Sequence, residues 1–187
     1  MKGLLDVKQQ PKSFIFTINS GSISADHWAQ DSKVGGGRIN GEVCHFIDLM
    51  RYLVGHSITG HQAMMIGNVP GVGIRDDKVS INLSFSDGSF GTIHYFANGG
   101  KVFPKERVEV FCGNAVLQMD NYRVMIGYDW PGFKKMKLRK QDKGQKACAK
   151  AFIDSIREGK PSPIPYEEVM ESSRVSIEVA ELLRQGS

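Results

Sequence analysis

From Ser57 to Arg139 apolar and polar residues alternate with a period of two, and this constrains the fold more than any other feature. Side chains along an extended strand point to opposite faces in turn, so such alternation marks a sheet with one apolar face. VSINLSF, the dipeptide Asp87-Gly88 and SFGTIHYF read as a hairpin, because Asp-Gly adopts the tight turn that joins twisted strands. RVEVFCG and AVLQMD, joined at Asn114, read as a second hairpin. YRVMIGY and KKMKLRK suggest two more strands, and SITGHQAMMIG another ahead of the first hairpin. Short connections make this sheet largely antiparallel, with one face able to stay open.

The flanks add one strand and three helices. Lys12 to Ile18 (KSFIFTI) is rich in aromatic and β-branched residues, as strands are. Met1 to Gln10 is polar and shows no period, so residues 1–11 read as an N-terminal arm and 12–187 as the domain. Asn19 to Gly37 holds turn formers and one apolar spot around Trp28, which predicts a long loop, and loops of that length are usually functional. From Asn40 to Val54, Val43, Phe46, Ile47, Met50, Leu53 and Val54 recur at helical spacing, and Gly55 supplies the stop. Gln145 to Glu158 and Tyr166 to Arg184 read as a closing helix pair, joined by GKPSPIP. The expected fold is α+β: a mostly antiparallel, possibly mixed sheet of six to eight strands, with helices on one face. Val79, Ile81, Leu83 and Phe85 form a row on one side of their strand, and Ile93 and Tyr95 alternate likewise. The face away from the helices is expected to be apolar enough to receive a second copy, as a homodimer or tetramer.

Composition excludes several function classes. A length of 187 residues with 41% hydrophobic and 24% charged residues fits one globular domain. The net charge of +4 is mild, and the one basic cluster (Lys134, Lys135, Lys137, Arg139, Lys140) alternates as on an exposed strand edge. With no binding motif beside it, nucleic acid is not an expected partner. No apolar run approaches the roughly 20 residues of a membrane span, and Met1 to Gln10 lacks the apolar centre of a signal peptide. Cys44, Cys112 and Cys148 are odd in number, far apart and without metal-ligand spacing. They argue against a disulfide framework or a metal site and for a cytoplasmic setting, each as a small buried hydrophobe. The glycine cluster GNVPGVG (Gly67 to Gly73) carries a Pro and is not followed by a helix, so it is a loop and not a dinucleotide fingerprint.

Polar residues concentrate between Ala25 and Asp48, in ADHW and then GGGRINGEVCHFIDL. Three glycines lead into the helix, and glycine lets a backbone approach a ligand closely. Glu42 and His45 are three apart and share a helix face. A histidine beside a carboxylate can move a proton at neutral pH. On spacing alone His45 could equally be a packed core histidine and Glu42 a partner of the helix dipole. Asp48 could serve only to orient the His45 ring, and Arg38 could be a solvated loop cation. His56, His61 and His94 are isolated and read as structural or surface residues.

GGGRINGEVCHFIDLMRYLVG resembles the signature of the C-terminal domain in the glucose-fructose oxidoreductase, inositol dehydrogenase and MocA (Gfo/Idh/MocA) family. SFSDGSFGTIHY followed by RVEVFCGNAVL is similar to that family's sheet, and GKPSPIP with EVAELL to its closing helices. The resemblance covers about residues 12 to 185. It implies a dihydrodipicolinate-reductase-like C-terminal domain whose NAD or NADP is bound by an upstream Rossmann domain. That domain also carries a lysine assisting proton transfer. This chain alone would then be inactive and would not bind the cofactor. On the same resemblance, His45 is the catalytic base toward a hydroxyl of a sugar, sugar derivative or cyclitol. The family's acid usually stands four residues before that histidine, where this chain has Gly41, which leaves Glu42 as the neighbouring candidate. Asp26, His27, Trp28, Arg38 and Asn40 would line the substrate side. A non-catalytic sugar-binding or oligomerisation module with the same fold is the alternative.

Overall fold

The alternating segments and KSFIFTI assemble into one sheet of eight strands. The computed structural model describes residues 1–31 and 33–185; Ser32, within the expected loop, and Gly186 and Ser187, at the end of the expected 12–187 domain, lie outside them. The strands are β1 (Ser13–Asn19), β2 (Ile58–Met65), β3 (Lys78–Phe85), β4 (Phe90–Phe96), β5 (Glu106–Cys112), β6 (Ala115–Asp120), β7 (Val124–Tyr128) and β8 (Lys135–Lys137). Their spatial order is β2-β3-β4-β1-β5-β6-β7-β8. Two antiparallel meanders, β2 to β4 and β5 to β8, are separated in space by β1, which pairs parallel with β4 and antiparallel with β5. The sheet is therefore mixed, with its single parallel pair at the centre. β8, the exposed basic edge, carries Lys135 and Lys137.

Among the described residues four α-helices accompany the sheet: α1 (Lys2–Leu5), α2 (Cys44–Val54), α3 (Gln145–Arg157) and α4 (Tyr166–Gln185). α2 buries Phe46, Ile47, Met50, Leu53 and Val54, and stops at Gly55, whose left-handed φ of 80° suits glycine. α4 contributes Val175, Val179, Ala180 and Leu183 to the same core. The Arg51 Nε donates to Glu171 Oε2 at 2.8 Å and ties the two helices together. Each fully buried aliphatic side chain adds roughly 1.5–3 kcal/mol, so these two stripes account for much of what holds helix to sheet. The approach is close at Gly91 in β4, where a Cβ would lie 2.6 Å from Met50 Sδ and 2.7 Å from Phe14 Cβ.

The row Val79, Ile81, Leu83, Phe85 and the pair Ile93, Tyr95 all turn toward these helices and are buried. The open face is consequently more polar than expected, because the apolar positions of β3 are used up on the core side. In register across it run Ser80, His94, Thr17, Arg107 and Asp120, and beside them Asn82, Thr92, Ile15, Glu109, Gln118 and Ile126. Only one row is largely apolar: Phe90, Phe111, Val116 and Tyr128, with Ser13 and Ser84 between and beside them.

Two expectations change. The N-terminal arm is packed: Leu5 in α1 is fully buried, Gln10 O faces Cys112 Sγ at 3.8 Å, and Lys8 lies 5.2 Å from the Trp130 ring centroid. Met1, Leu4 and Leu5, all within one turn, are too few to set a period, so alternation could not reveal the packing. Of the cysteines only Cys112 is buried; Cys44 is half-buried and Cys148 is exposed. Cys148 is exposed because α3 is hardly packed at all. Of its 13 residues only Ser155 is buried, and Phe152, Ile153 and Ile156 stand in the open.

Candidate active site

The glycine run bends the chain into the helix that carries the site. Gly36 and Gly37 have φ of 74° and 78°, in the left-handed region, and the backbone then enters a wide π-turn over Ile39–Val43. The Cys44 N–H reaches back to Ile39 O, five residues earlier, before regular α-helix begins. This turn directs Arg38 inward. Arg38 is only 5% exposed and donates to Glu42 Oε2 from Nη2 at 2.7 Å and from Nε at 3.1 Å. The Tyr95 hydroxyl donates to the same oxygen at 2.5 Å and accepts from Arg38 Nε at 2.7 Å. The other oxygen, Oε1, lies 3.5 Å from Lys105 Nζ.

Burial alone would raise the Glu42 pKa. The Tyr95 hydrogen bond and the charge and hydrogen bonds of Arg38, with Lys105 behind them, outweigh it and hold the carboxyl below its ordinary value. Tyr95 moves the other way, pushed up first by burial and then by its bond to Glu42. Glu42 is thus a fixed anion pinned between a buried guanidinium and a phenol.

Between α2 and α3 opens a cleft of about 1430 Å³, with Glu42, His45 and Asp48 on one wall and Lys143 and Phe152 opposite. Lys105, Glu106 and Tyr122 also line it, as do Arg51, Tyr52 and the Pro163–Pro165 connector. The His45 ring is exposed and makes no hydrogen bond or ion pair among the described residues. Asp48 does not orient it: Asp48 Oδ1 accepts from Ser172 Oγ on α4 at 3.1 Å. Glu42 likewise spends its hydrogen bonds elsewhere.

The other candidates are dispersed. Asp26, His27 and Trp28 are exposed on the loop after β1 and do not line this cleft, and His27 Nδ1 accepts from the Ala29 N–H at 3.2 Å. Asn40 donates from Nδ2 to Gly36 O at 3.3 Å, bracing the glycine turn, while its Oδ1 is buried without a partner. Arg38 stands behind Glu42, away from the cleft surface. Sequence reasoning missed Lys105, Glu106, Tyr122 and Lys143. Glu106 left a readable sign, a carboxylate opening the core-facing row Glu106, Val108, Val110 of β5.

With this geometry in place, comparison with known proteins gives a consistent result. The GFO/IDH/MocA C-terminal domain family matches residues 12–118, more than half of the chain, and the chain belongs to that family. Among solved structures, the chain is similar to aldose-aldose oxidoreductase from Caulobacter crescentus complexed with glycerol (14% identity, TM-score 0.77), covering 100% of this chain and 58% of that one. It is similar to UDP-N-acetylglucosamine 3-dehydrogenase from Acidithiobacillus ferrooxidans (13%, TM-score 0.72; 98% and 57% covered). It is also similar to a levoglucosan dehydrogenase in complex with NADH (18%, TM-score 0.71; 94% and 57% covered). The chain thus spans less than three fifths of the length of these three structures. No curated protein matches. At these identities the likeness establishes a shared fold.

Proposed function

We propose that this chain is the substrate-facing half of a nicotinamide-dependent oxidoreductase acting on a hydroxyl of a sugar, sugar derivative or cyclitol, with His45 as the general base. The observation that carries this reading is an unpaired imidazole on the wall of a cleft of about 1430 Å³. Such a space exceeds the roughly 300–1,000 Å³ of an ordinary small-molecule pocket, leaving room for a sugar and a second reactant. His45 takes the hydroxyl proton, while the carbon-bound hydrogen would leave as hydride to the oxidised nicotinamide held by the companion domain. Glu42, kept ionised by Arg38 and Tyr95, fixes the wall beside it and orients Lys105. Asp26, His27 and Trp28, outside the cleft lining, have no part in this reading.

The described residues do not fit a dinucleotide. A pyrophosphate needs a strand, a glycine-rich turn and a helix N-terminus in succession. Gly67 to Gly73 instead run between two strands, and Gly35 to Gly37 open onto the buried, paired Arg38. The cofactor is therefore assigned to a companion Rossmann domain, and the bare apolar side of α3 supports the need for one. The open sheet face, with its row of Phe90, Phe111, Val116 and Tyr128, is assigned to a second copy. The alternative, a non-catalytic module, draws support from Glu42, whose engaged oxygens leave it no proton to transfer.

Histidine-labelled protein titrated with a panel of sugars and cyclitols tests the reading by NMR. The His45 ring is expected to respond saturably while the other four histidines stay unmoved; silence of His45 across the panel overturns it. A parallel titration with NADH and NADPH, followed by nicotinamide fluorescence, is expected to show no saturable binding. Saturation would mean that the cofactor site lies in this chain.

A further inference from the structure

Glu106 is the one carboxylate on the core-facing side of the central strands. Its neighbours in that row are Val108 and Val110, and it stands opposite Ile18 of β1. It is 4% exposed. Its Oε1 accepts from Lys143 Nζ at 2.6 Å, while its Oε2 is buried and has no partner. A buried carboxylate retaining a single cation and one unmatched oxygen is costly, and such an arrangement calls for a missing donor. All three groups around it line the same cleft as His45: Lys143, Tyr122 and the adjoining Lys105.

The surrounding backbone is shaped to hold this cluster. Asn121 and Tyr122, between β6 and β7, have φ of 49° and 48°. Positive φ at both central residues is what the tight turn between twisted strands needs; it suits asparagine, while the bulky tyrosine tolerates it less well. Asn121 is locked onto β5 by two hydrogen bonds, Asn121 N–H to Glu106 O at 2.8 Å and Glu106 N–H to Asn121 Oδ1 at 2.9 Å. The turn thereby brings the Tyr122 ring to the cleft, 5.5 Å from Lys143 Nζ. Burial, with the Glu106 charge added, pushes the Tyr122 phenol up to about 12, so it stays a neutral donor throughout the physiological range.

Resting on the reading of His45 above, we infer that Glu106, Lys143 and Tyr122 form a second polar subsite of the cleft. It would receive a further hydroxyl of a neutral polyhydroxy ligand whose reacting hydroxyl faces His45. Glu106 Oε2 accepts from that hydroxyl. Lys143, about one third exposed and carried on the segment just before α3, shifts aside to admit it and donates to the oxygen of the incoming hydroxyl. Tyr122 closes the end of the subsite. Ligands long enough to span both positions are selected over short ones, so this cluster sets the length of substrate the cleft prefers.

The test is an amide and histidine-ring NMR titration of the full chain with glycerol, erythritol, xylitol and sorbitol, repeated on Glu106→Gln and Lys143→Met. The expected result is that sorbitol shifts His45 together with Tyr122, Lys143 and Gly144, whereas glycerol fails to engage both sets. Either substitution should weaken sorbitol binding about tenfold, as loss of a hydrogen bond to a charged group does. Glycerol binding should be left unchanged. If sorbitol moves His45 alone and both variants bind it as the parent does, the subsite is overturned and the His45 reading stands. If a variant loses thermal stability but not affinity, the cluster is a strut and the inference is again overturned. If no polyol moves His45 either, the proposed function falls, and the subsite with it.

Discussion

Glu42 keeps its charge because donors converge on one of its oxygens, and that arrangement has a measurable signature in acid. The carboxyl titrates below its ordinary value in the folded protein, so as pH falls the unfolded chain takes up the proton first. Stability from the ionised group is fully present above the ordinary glutamate range and is lost as pH drops through the lowered folded value. Glu42→Gln, which leaves the buried Arg38 without its counter-ion, is expected to cost roughly 2–3 kcal/mol near neutral pH. Urea unfolding at several pH values checks both parts: the variant should start lower and lose less between about pH 5 and 3. The same residue marks the limit of reading by spacing. Three residues from His45, Glu42 looked like the histidine's partner, yet its hydrogen bonds go to Arg38 and to Tyr95, 53 positions away. Nothing local to GEVCH announces a phenol on β4.

The elements were far more legible than the contacts between them. Alternation found the seven strands from β2 to β8, since a half-buried strand must alternate wherever it lies. KSFIFTI was equally plain as a strand, but its place between β4 and β5 depends on long-range pairing that composition does not encode. Helical spacing located α3 as well, and there it misleads, because an apolar stripe says that a face wants cover without saying that this chain provides it. The exposed stripe makes α3 the least anchored element. Phe152→Glu and Ile156→Glu are expected to change unfolding free energy by less than about 0.5 kcal/mol, as surface substitutions do. Amide hydrogen exchange should be fast throughout α3 and slow in α2 and α4. Strong protection of α3 in the isolated chain would contradict its packing as described here.

At the scale of the whole molecule, the helices cover one face of the sheet and leave the other to solvent, with its apolar character confined to one row. Pairing through that row predicts that the chain sediments as a dimer and that Phe111→Lys shifts it toward monomer without unfolding it. The long-range order β2-β3-β4-β1-β5-β6-β7-β8 carries another consequence. Each meander can zip from its own turns, but in the sheet they are joined only through the seven residues of β1, which precede both in sequence. β1 is the seam of the sheet. During synthesis it must wait for β4 and β5, whose paired residues follow 77 to 98 positions later, and such distant pairings slow folding. Until they arrive, Phe14, Phe16 and Ile18 have no sheet to join, so the nascent chain spends that interval with these three side chains uncovered, where a chaperone or a neighbouring chain can reach them.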